Sequence, residues 1–421
     1  MRARWLLSAV AVVCSAMTAQ AANEIAADEL VARVASRVEE LIERNFYKPV
    51  DFPSFAGKHP TNADIDKALA DLKASHTRRF MPGTLEYYEV ADIYQRWLSR
   101  DLSSIFPPRG EVQYEGIGIA TTVIDGKRFV TDVYDGAMAK TAGIQVGDEV
   151  LSVNSQPFDE IRSFKGGAGT IAIVTVRRAA KTQPVEIPVM VAAISPVRMF
   201  LEAVSASARI VDYAGRDIGY VRLWTVASPL TNETVETMLR SGLLSESDGL
   251  VLDLRGRWGG ISSELPEMLM EDFADISFTM RNGRSFSQRE TWRKPIVVLI
   301  DGGTRSANEL LACAMKKRGF SLIGEKSAGA VLGGSAYVLP DDSLLMVATS
   351  MVRVDGEVLE GRGVEPDKIV SAPIPYAGGA DPQLEVAMKE VSEQLSGVSS
   401  WRSSLSPEQR RCSQGSAARS N

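Results

Sequence analysis

One segment of the chain runs from an apolar, β-branched stretch through a glycine turn to a serine at the start of a predicted helix. The apolar stretch is residues 296–300, and Ser306 opens the helix. A hydroxyl at a helix N-terminus lies in a positive field, and the next backbone N–H, from Ala307, points where an oxyanion would form. The spacing Ser306-x-x-Glu309 also fits a capping box, so the segment alone leaves a nucleophile and a helix cap both open.

A second apolar stretch ends in a similar way. Residues 249–254 are followed by a polar turn that leads into Gly259 and Gly260. Since glycine has no side chain to block access to its N–H, either residue could supply a second oxyanion donor. A plain strand-to-helix connection is the alternative. Together the two turns favour nucleophilic attack on a carbonyl group.

Such an attack at neutral pH needs a base beside the serine. The chain contains only two histidines, His59 and His76. A multi-histidine metal site is therefore excluded, and an imidazole base must be one of these two residues. His59 precedes Pro60 in a predicted loop, which favours a structural role. An isolated histidine such as His76 is most often a surface or capping residue, so its role stays open at this point.

The elements that must position these residues change in character along the chain. Residues 29–44, 62–74 and 85–102 carry apolar side chains at helical spacing, which predicts three amphipathic helices. Short β stretches separated by Gly, Asp and Asn turns follow in residues 111–193. From residue 217 to about residue 375, strand-like and helix-like stretches alternate, which predicts an α/β domain.

Two phrases in the β-rich block resemble a PDZ domain in their order and spacing. They are EGIGI at residues 115–119 and AGIQVGDEV at residues 142–150. The resemblance implies a loop whose backbone N–H groups hold the C-terminal carboxylate of a peptide, with the peptide added as a further strand beside it. The peptide-binding residues of that loop would be Gly116, Ile117, Gly118 and Ile119.

The wider order of motifs resembles the C-terminal-processing (tail-specific) serine proteases. A signal peptide, a helical region and the PDZ-like block come first, and four further phrases follow. These phrases are DLRGRWGG at 253–260, TRSANE at 304–309, GEKSAG at 324–329 and GVEPD at 363–367.

This resemblance implies a multidomain α+β protein with a helical N-terminal region, a PDZ β-domain and an α/β core of the ClpP/crotonase-like spiral type. By similarity Ser306 is the catalytic nucleophile, and Ala307 with Gly259 or Gly260 forms the oxyanion hole. The family implies no metal and no organic cofactor.

One position departs from the best-known members of the family. They carry a lysine base directly after the second glycine of the GEKSAG-type motif, where this chain has Ala330. Lys326 lies four residues earlier at a variable position and is disfavoured as a substitute. The segment SHTRRF at 75–80 resembles the lysine-lacking, histidine-dependent branch that includes tricorn-like proteases. The resemblance implies His76 as the base, and an imidazole pKa of about 6.5 suits that role.

The third member of the implied triad is a carboxylate that orients the imidazole. The phrase LEGRGV at 359–364 resembles the branch's Glu-x-x-Gly-Val element, which indicates Glu360. Glu365 is the alternative.

The leading interpretation is an exported, PDZ-recruited serine endopeptidase that cleaves protein C-termini or unfolded segments. Ala330 favours the main alternative, a catalytically inactive PDZ scaffold that binds exported proteins. Hydratase-like chemistry, as in crotonase relatives, is a third and weaker option.

The first residues indicate the compartment. Residues 1–21 begin with basic residues, continue with a short apolar run and end in small residues, which is typical of a secretory signal peptide and predicts a periplasmic or extracellular location. Val13 before Cys14 disfavours a lipoprotein. Of the remaining cysteines, Cys313 lies on the apolar face of a predicted helix and Cys412 in a polar tail, so a disulfide between them is not expected.

The expected partners are protein or peptide substrates with accessible C-termini, and an oligomer is left open. The net charge of −6 disfavours nucleic acid as a partner. No integral membrane segment is expected after removal of the signal peptide. The predicted divisions are a signal peptide (1–21), a helical N-terminal region (22–110), a PDZ domain (111–193), a protease core (194–375), a C-terminal helix (376–397) and a disordered tail (398–421).

Overall fold

The structure is a computed structural model. It describes residues 26–256, 258–260, 269, 276–279, 285–288 and 292–404. The predicted signal peptide and Cys412 lie outside the described residues. So does the segment 262–273 apart from Leu269, whose helix-like pattern predicts a helix. The chain forms two compact units: residues up to 112 together with 332–352 make unit 1, and residues 113–331 together with 353 onward make unit 2.

Unit 1 combines helices with a small sheet. The helices are α1 (26–45), α2 (Asn62–Asp71), α3 (Leu85–Ile93) and α4 (Gln95–Ile105). The strands of this unit are β1 (Arg78–Phe80), β17 (Gly333–Val338) and β18 (Leu344–Ser350). They form an antiparallel sheet in the order β1-β18-β17, and α1 and α2 pack their apolar faces against it.

Unit 1 differs from its prediction in two respects. The predicted all-helical region contains strand β1, and residues 332–352, expected in the protease core, pair with it. A three-residue strand with two arginines carries no apolar alternation, so its sequence gave no strand signal. The predicted helix at 85–102 is two helices that meet at Tyr94, whose hydroxyl donates to the carbonyl of Gly334 at 3.0 Å.

Unit 2 begins with a β-domain. Its strands and helix are β2 (Tyr114–Gly116), β3 (Ile119–Ile124), β4 (Lys127–Val133), α5 (Met138–Ala142), β5 (Glu149–Val153), β6 (Gln156–Pro157), β7 (Ile171–Arg177), β8 (Val185–Met190) and β9 (Ala192–Ile194). The main sheet has the order β3-β4-β5-β7-β8, with antiparallel neighbours, and encloses a buried aliphatic core. A separate pair joins β2 to β9.

The second part of unit 2 is the α/β core. Its elements are α6 (Pro196–Ser207), β10 (Arg209–Tyr213), β11 (Arg216–Arg222), α7 (Pro229–Arg240), β12 (Gly249–Asp253), β13 (Ile276–Thr279), β14 (Ser285–Gln288), β15 (Ile296–Ile300), α8 (Ala307–Lys317), β16 (Ser321–Gly324), β19 (Lys368–Ile369) and α9 (Pro382–Ser404). The six-stranded sheet has the order β10-β11-β12-β15-β16-β19, and every pair after the β10–β11 hairpin is parallel. Helix α9 covers one face through Ala387, Met388 and Val391.

Two predicted segments of this part differ from the structure. The strand-like pattern of residues 351–354 predicts a strand, but these residues lead into a turn with a single bridge between Val354 and Glu357. Helix α9 continues to Ser404, whereas the tail from residue 398 was expected to lack structure. Extension of a formed helix adds a hydrogen bond for each residue it fixes, so a helix can run past its apolar pattern. Within the described part of the chain, no helix combines the length and apolarity of a membrane span.

Candidate active site

The serine turn and the glycine turn lie at the same edge of the core sheet. Strands β12 and β15 are parallel neighbours, with Asp253 opposite Leu299. Pairing extends past β12, because the N–H of Leu254 donates to the carbonyl of Leu299 at 2.9 Å. The carboxyl ends of parallel strands are the usual place for sites in open α/β sheets, since the loops that follow them converge there.

Asp301 and Thr304 hold the two turns together. The Asp301 carboxylate accepts from the N–H groups of Gly303 and Thr304 at 2.9 Å each, and from that of Gly256 in the other turn at 3.3 Å. The Thr304 hydroxyl donates to the carbonyl of Leu254 at 3.0 Å. Burial raises the pKa of Asp301, and nearby arginines oppose that shift. The buried carboxylate thus cross-links the ends of β12 and β15.

Ser306 has an unusual backbone conformation. Its φ of 54° and ψ of −129° lie where residues other than glycine rarely occur. The Ser306 side chain makes no capping hydrogen bond to α8, and its N–H donates to the carbonyl of Ala330 at 2.8 Å. The capping-box alternative is therefore wrong. Strained conformations of this kind cost about 1–3 kcal/mol and cluster at functional sites.

Glu309, the other half of the expected capping box, has a different partner. Its fully buried carboxylate accepts from the Ser327 hydroxyl and from the N–H groups of Gly329 and Ala330, the last two at 2.8 and 2.9 Å. Burial raises the pKa of Glu309, and these three donors oppose the shift. Glu309 thereby fixes the loop whose Ala330 carbonyl binds the N–H of Ser306.

Gly259 lies directly against the serine turn. A Cβ atom on Gly259 would be 2.3 Å from the Ala307 nitrogen and 2.7 Å from Ser306 Cβ, distances that real side chains do not show. Gly259 is buried, whereas Ser306 and Ala307 are partly exposed. Only glycine therefore permits the 259–260 turn to approach the start of α8 this closely.

The peptide between Gly259 and Gly260 has a fixed orientation. The Gly259 carbonyl accepts from the N–H of Val226 at 2.6 Å and from the hydroxyl of Thr225 at 3.0 Å. In a trans peptide the N–H points opposite to the carbonyl, so the N–H of Gly260 points away from these two donors. Gly260 itself has a φ of +119°, which again requires glycine.

Glu360 reaches the same loop from the other side. Its carboxylate accepts from the N–H of Val331 at 3.0 Å, while the Ala330 carbonyl accepts from Ser306. The carbonyl and the N–H belong to one peptide, the Ala330–Val331 bond. The structure therefore connects two predicted triad members, Ser306 and Glu360, through the peptide bond between Ala330 and Val331.

The two rival residues lie at the surface. Lys326 Nζ is 2.6 Å from the carboxylate of Glu365, and both side chains are more than half exposed. Each of these groups is therefore satisfied by the other in a solvated ion pair. This pairing offers no basis for Lys326 as an activated base or for Glu365 as the orienting carboxylate.

His76 belongs to unit 1, in the turn between α2 and β1. The hydroxyl of Ser75 lies 2.8 Å from His76 Nδ1. The next residue fixes the turn to the sheet, because the Thr77 hydroxyl accepts from the N–H of Ala348 at 3.1 Å. Gly334 lies close to His76, because a Cβ on Gly334 would be 3.2 Å from His76 Cβ. His59 is exposed in the α1–α2 loop, as its predicted structural role allows.

The sequence reasoning missed a buried charge cluster below the glycine turn. Asp253 is fully buried and accepts from Arg255 and from the Tyr220 hydroxyl, the latter at 2.8 Å, and Arg255 also donates to Asp381. Burial alone would raise the pKa of Asp253, but the charge and hydrogen bonds of Arg255 outweigh it and lower the pKa to about 2. An acidic residue at the end of a wholly apolar strand, two residues before an arginine, was the available signal.

The predicted carboxylate-binding loop joins β2 to β3. All four of its residues are buried, and Gly118 has a φ of +80° with room for no side chain, because a Cβ would lie 2.4 Å from Ala137 Cβ. The carbonyl of Ile117 accepts from the N–H of Ala139 at 2.9 Å. Gly118 is thus required for a steric reason, and the role of the loop in binding a carboxylate stays a prediction.

Comparison with known proteins identifies two regions of the chain. Residues 217–370 match peptidase family S41, and residues 129–178 match the PDZ domain. Residues 217–370 are thus similar to peptidase family S41, and residues 129–178 to PDZ domains. The predicted family and fold class are thereby confirmed.

Two curated S41 relatives come from Bacillus subtilis. Carboxy-terminal processing protease CtpB is 26% identical over 68% of this chain and 62% of the relative. Carboxy-terminal processing protease CtpA is 25% identical over 74% of this chain and 69% of the relative. The match therefore spans about three fifths to two thirds of the relatives' length.

A solved structure shares the fold. The tricorn protease matches with a TM-score of 0.51 at 18% identity, over 87% of this chain and 37% of the tricorn chain. At that identity the match concerns the fold alone.

Proposed function

We propose that this S41 chain is an exported serine endopeptidase that cleaves protein C-termini or unfolded segments. The observation that carries the proposal is the close contact of Gly259 with the strained Ser306–Ala307 turn. A partly exposed hydroxyl at that turn, next to the N–H groups that begin a helix, has the arrangement that acyl transfer requires. The export rests on the signal-peptide pattern of residues 1–21.

In the proposed mechanism His76 removes the proton from the Ser306 hydroxyl as the oxygen attacks the scissile carbonyl carbon. The N–H groups of Ala307 and of Gly259 or Gly260 stabilise the resulting oxyanion. The imidazolium then gives its proton to the departing amine as the C–N bond breaks, which leaves an acyl-enzyme ester. Water activated by the same imidazole hydrolyses the ester and restores the hydroxyl.

Glu360 is the proposed carboxylate of the triad. The hydrogen bond from Val331 holds one of its oxygens beside the Ser306 loop. Its role would be to orient the imidazole of His76 and to stabilise the charged ring. The surface ion pair of Lys326 with Glu365 supports Glu360 over Glu365 as the carboxylate, and His76 over Lys326 as the base.

The PDZ domain is the proposed recruiting element, with peptide C-termini as its ligands. Its Gly116–Ile119 loop precedes strand β3, which lies at one edge of the PDZ sheet. A peptide could therefore add to β3 by backbone hydrogen bonds, as PDZ ligands do.

The direct test is hydrolysis of fluorescein-labelled casein, an unfolded substrate, by the purified chain. We expect release of fluorescent peptides by the unaltered protein and loss of that release in Ser306→Ala. Lys326→Ala is the matched control and should retain activity. Binding of casein without any hydrolysis, in a chain shown to be folded, would instead favour the inactive scaffold, for which Ala330 is the strongest indication.

A further inference from the structure

Strand β3 lies at one end of the PDZ sheet and pairs only with β4 in the described structure. An edge strand presents backbone N–H and C=O groups that another strand can pair with. Peptide addition in this domain therefore depends on which of those groups are available along β3.

The pairing pattern identifies an outward-facing residue. Thr121 lies opposite Val130 of β4. The N–H of Val130 donates to the carbonyl of Asp148, and its carbonyl accepts from Gly147, both at 2.9 Å, so Val130 uses its backbone groups toward β5. Opposite residues of such a pair point their backbone groups in opposite directions. The N–H of Thr121 therefore faces the open edge of the sheet.

A side chain of the same domain occupies this position. The carboxylate of Glu160 accepts from the N–H of Thr121 at 2.8 Å and from the Thr121 hydroxyl at 2.6 Å. Thr121 is 8% exposed. The backbone donor that a peptide strand would use is thus already bound by an internal acceptor.

The segment that carries Glu160 is fixed on both sides. Ile161 and Phe164 are buried in the domain. Further along, the carboxylate of Glu115, in β2 just before the glycine loop, accepts from the N–H groups of Gly166 and Ala168. Two glutamates therefore fasten residues 160–168, one to the edge strand and one to the start of the loop.

We propose that Glu160 is a built-in competitor for the peptide-binding edge of the PDZ domain. An incoming extended peptide must displace the Glu160 carboxylate and offer its own carbonyl to the N–H of Thr121. Glu160 thereby sets the affinity threshold for recruitment and admits only segments whose other contacts outweigh the displaced bonds. The inference rests on the proposed function in one respect, that β3 is the strand to which peptides add.

The test measures peptide binding to the full chain in a Ser306→Ala background, which prevents cleavage. The probe is a mixture of fluorescein-labelled decapeptides with apolar, free C-termini, followed by fluorescence anisotropy. Glu160→Ala should bind about tenfold or more tightly, because a charge-assisted hydrogen bond no longer competes. Glu186→Ala, which removes an exposed carboxylate from β8 at the opposite edge, is the matched control and should match the parent.

Amide hydrogen exchange supplies the second measurement. The N–H of Thr121 should exchange faster in Glu160→Ala, while the amides between β4 and β5 keep their protection. Glu160→Gln retains an oxygen acceptor without the charge, so its affinity should rise by a smaller factor. If Glu160→Ala does not fold, the peptide affinity of Glu160→Gln tests whether Glu160 competes with the peptide.

Equal affinity of the Glu160 variants and the parent, or no binding by any of them, would overturn the inference. Casein hydrolysis by the chain with Ser306 intact is independent of either result. The failure of this inference is therefore distinguishable from failure of the proposed protease function.

Discussion

Unit 2 contains two glycine-rich turns that could present backbone N–H groups to an anion, and they differ in access. At the sheet edge of the S41 core, Gly259 is buried but the facing Ser306 and Ala307 are partly exposed. In the PDZ loop, Gly116 and Gly118 are both buried. The turn proposed for chemistry is open, whereas the turn proposed for recognition is covered.

A glycine pattern thus specifies the backbone geometry of a turn but not whether its N–H groups are accessible to a ligand. Both turns exclude side chains for steric reasons that the structure shows directly. Beside the covered turn, a distant segment also supplies an acceptor, because the Glu160 carboxylate accepts from the N–H of Thr121 on β3. A sequence motif thus predicts where an anion could bind, and the neighbouring segments decide whether it can enter.

The largest expected effect is on casein hydrolysis, when a side chain is added at Gly259 in the open turn. Gly259→Ala would place a Cβ 2.3 Å from the Ala307 nitrogen and should displace the oxyanion donors. We expect casein hydrolysis to fall by roughly 10²-fold or more, as for loss of an oxyanion donor. Gly302→Ala is the matched control, because a Cβ there approaches only the Lys326 carbonyl at 3.9 Å. Equal losses in both variants would contradict the assignment of Gly259.

The corresponding substitution in the covered PDZ loop, Gly118→Ala, should lower stability instead of activity. Gly118→Ala combines a φ of +80° with a contact of 2.4 Å to Ala137. We expect the free energy of unfolding to fall by about 1–3 kcal/mol. Chemical denaturation of the variant measures this change. Residual casein hydrolysis by the folded fraction should persist, and its complete loss would show that the two turns are not separable.

A smaller change, in the free energy of unfolding, is expected from protonation of Asp253 below the open turn as the pH falls. The pKa of Asp253 is lowered to about 2 from an ordinary 3.8, so its ionised form stabilises the fold above pH 4. That contribution, about 2 kcal/mol, should disappear as the pH falls from about 4 to about 2. Acid titration of the unfolding free energy should show a shallower decline in Asp253→Asn, which is already destabilised at neutral pH. The same slope in both proteins would contradict the role of Asp253.

Much of the fold followed from local patterns. The apolar stretch at 296–300 forms β15, the helix predicted after Ser306 forms α8, and the predicted β-rich block at 111–193 contains the strands β2 to β9. Apolar periodicity and glycine turns are local signals, which is why these elements were predictable. Strand β1 was missed because its partner, β18, lies more than 250 residues later in the chain. Pairing over such a separation leaves no mark in a three-residue segment.

The site was predictable in part. Motif order pointed to Ser306 and Gly259, and the structure brings them together. The partner of Glu309 could not be foreseen, because the capping pattern is local whereas the loop that Glu309 binds lies about twenty residues onward. The role of His76 stays a prediction, since it depends on motif resemblance.

The measurement that tests the central claim most directly is the rate at which a fluorophosphonate probe modifies Ser306, followed by mass spectrometry of the labelled peptide. The account predicts labelling of Ser306 in the unaltered chain and in Lys326→Ala, and a rate reduced by about 10²–10⁴-fold in His76→Ala. Labelling that is indifferent to His76 and lost in Lys326→Ala would contradict the account and identify the lysine as the base.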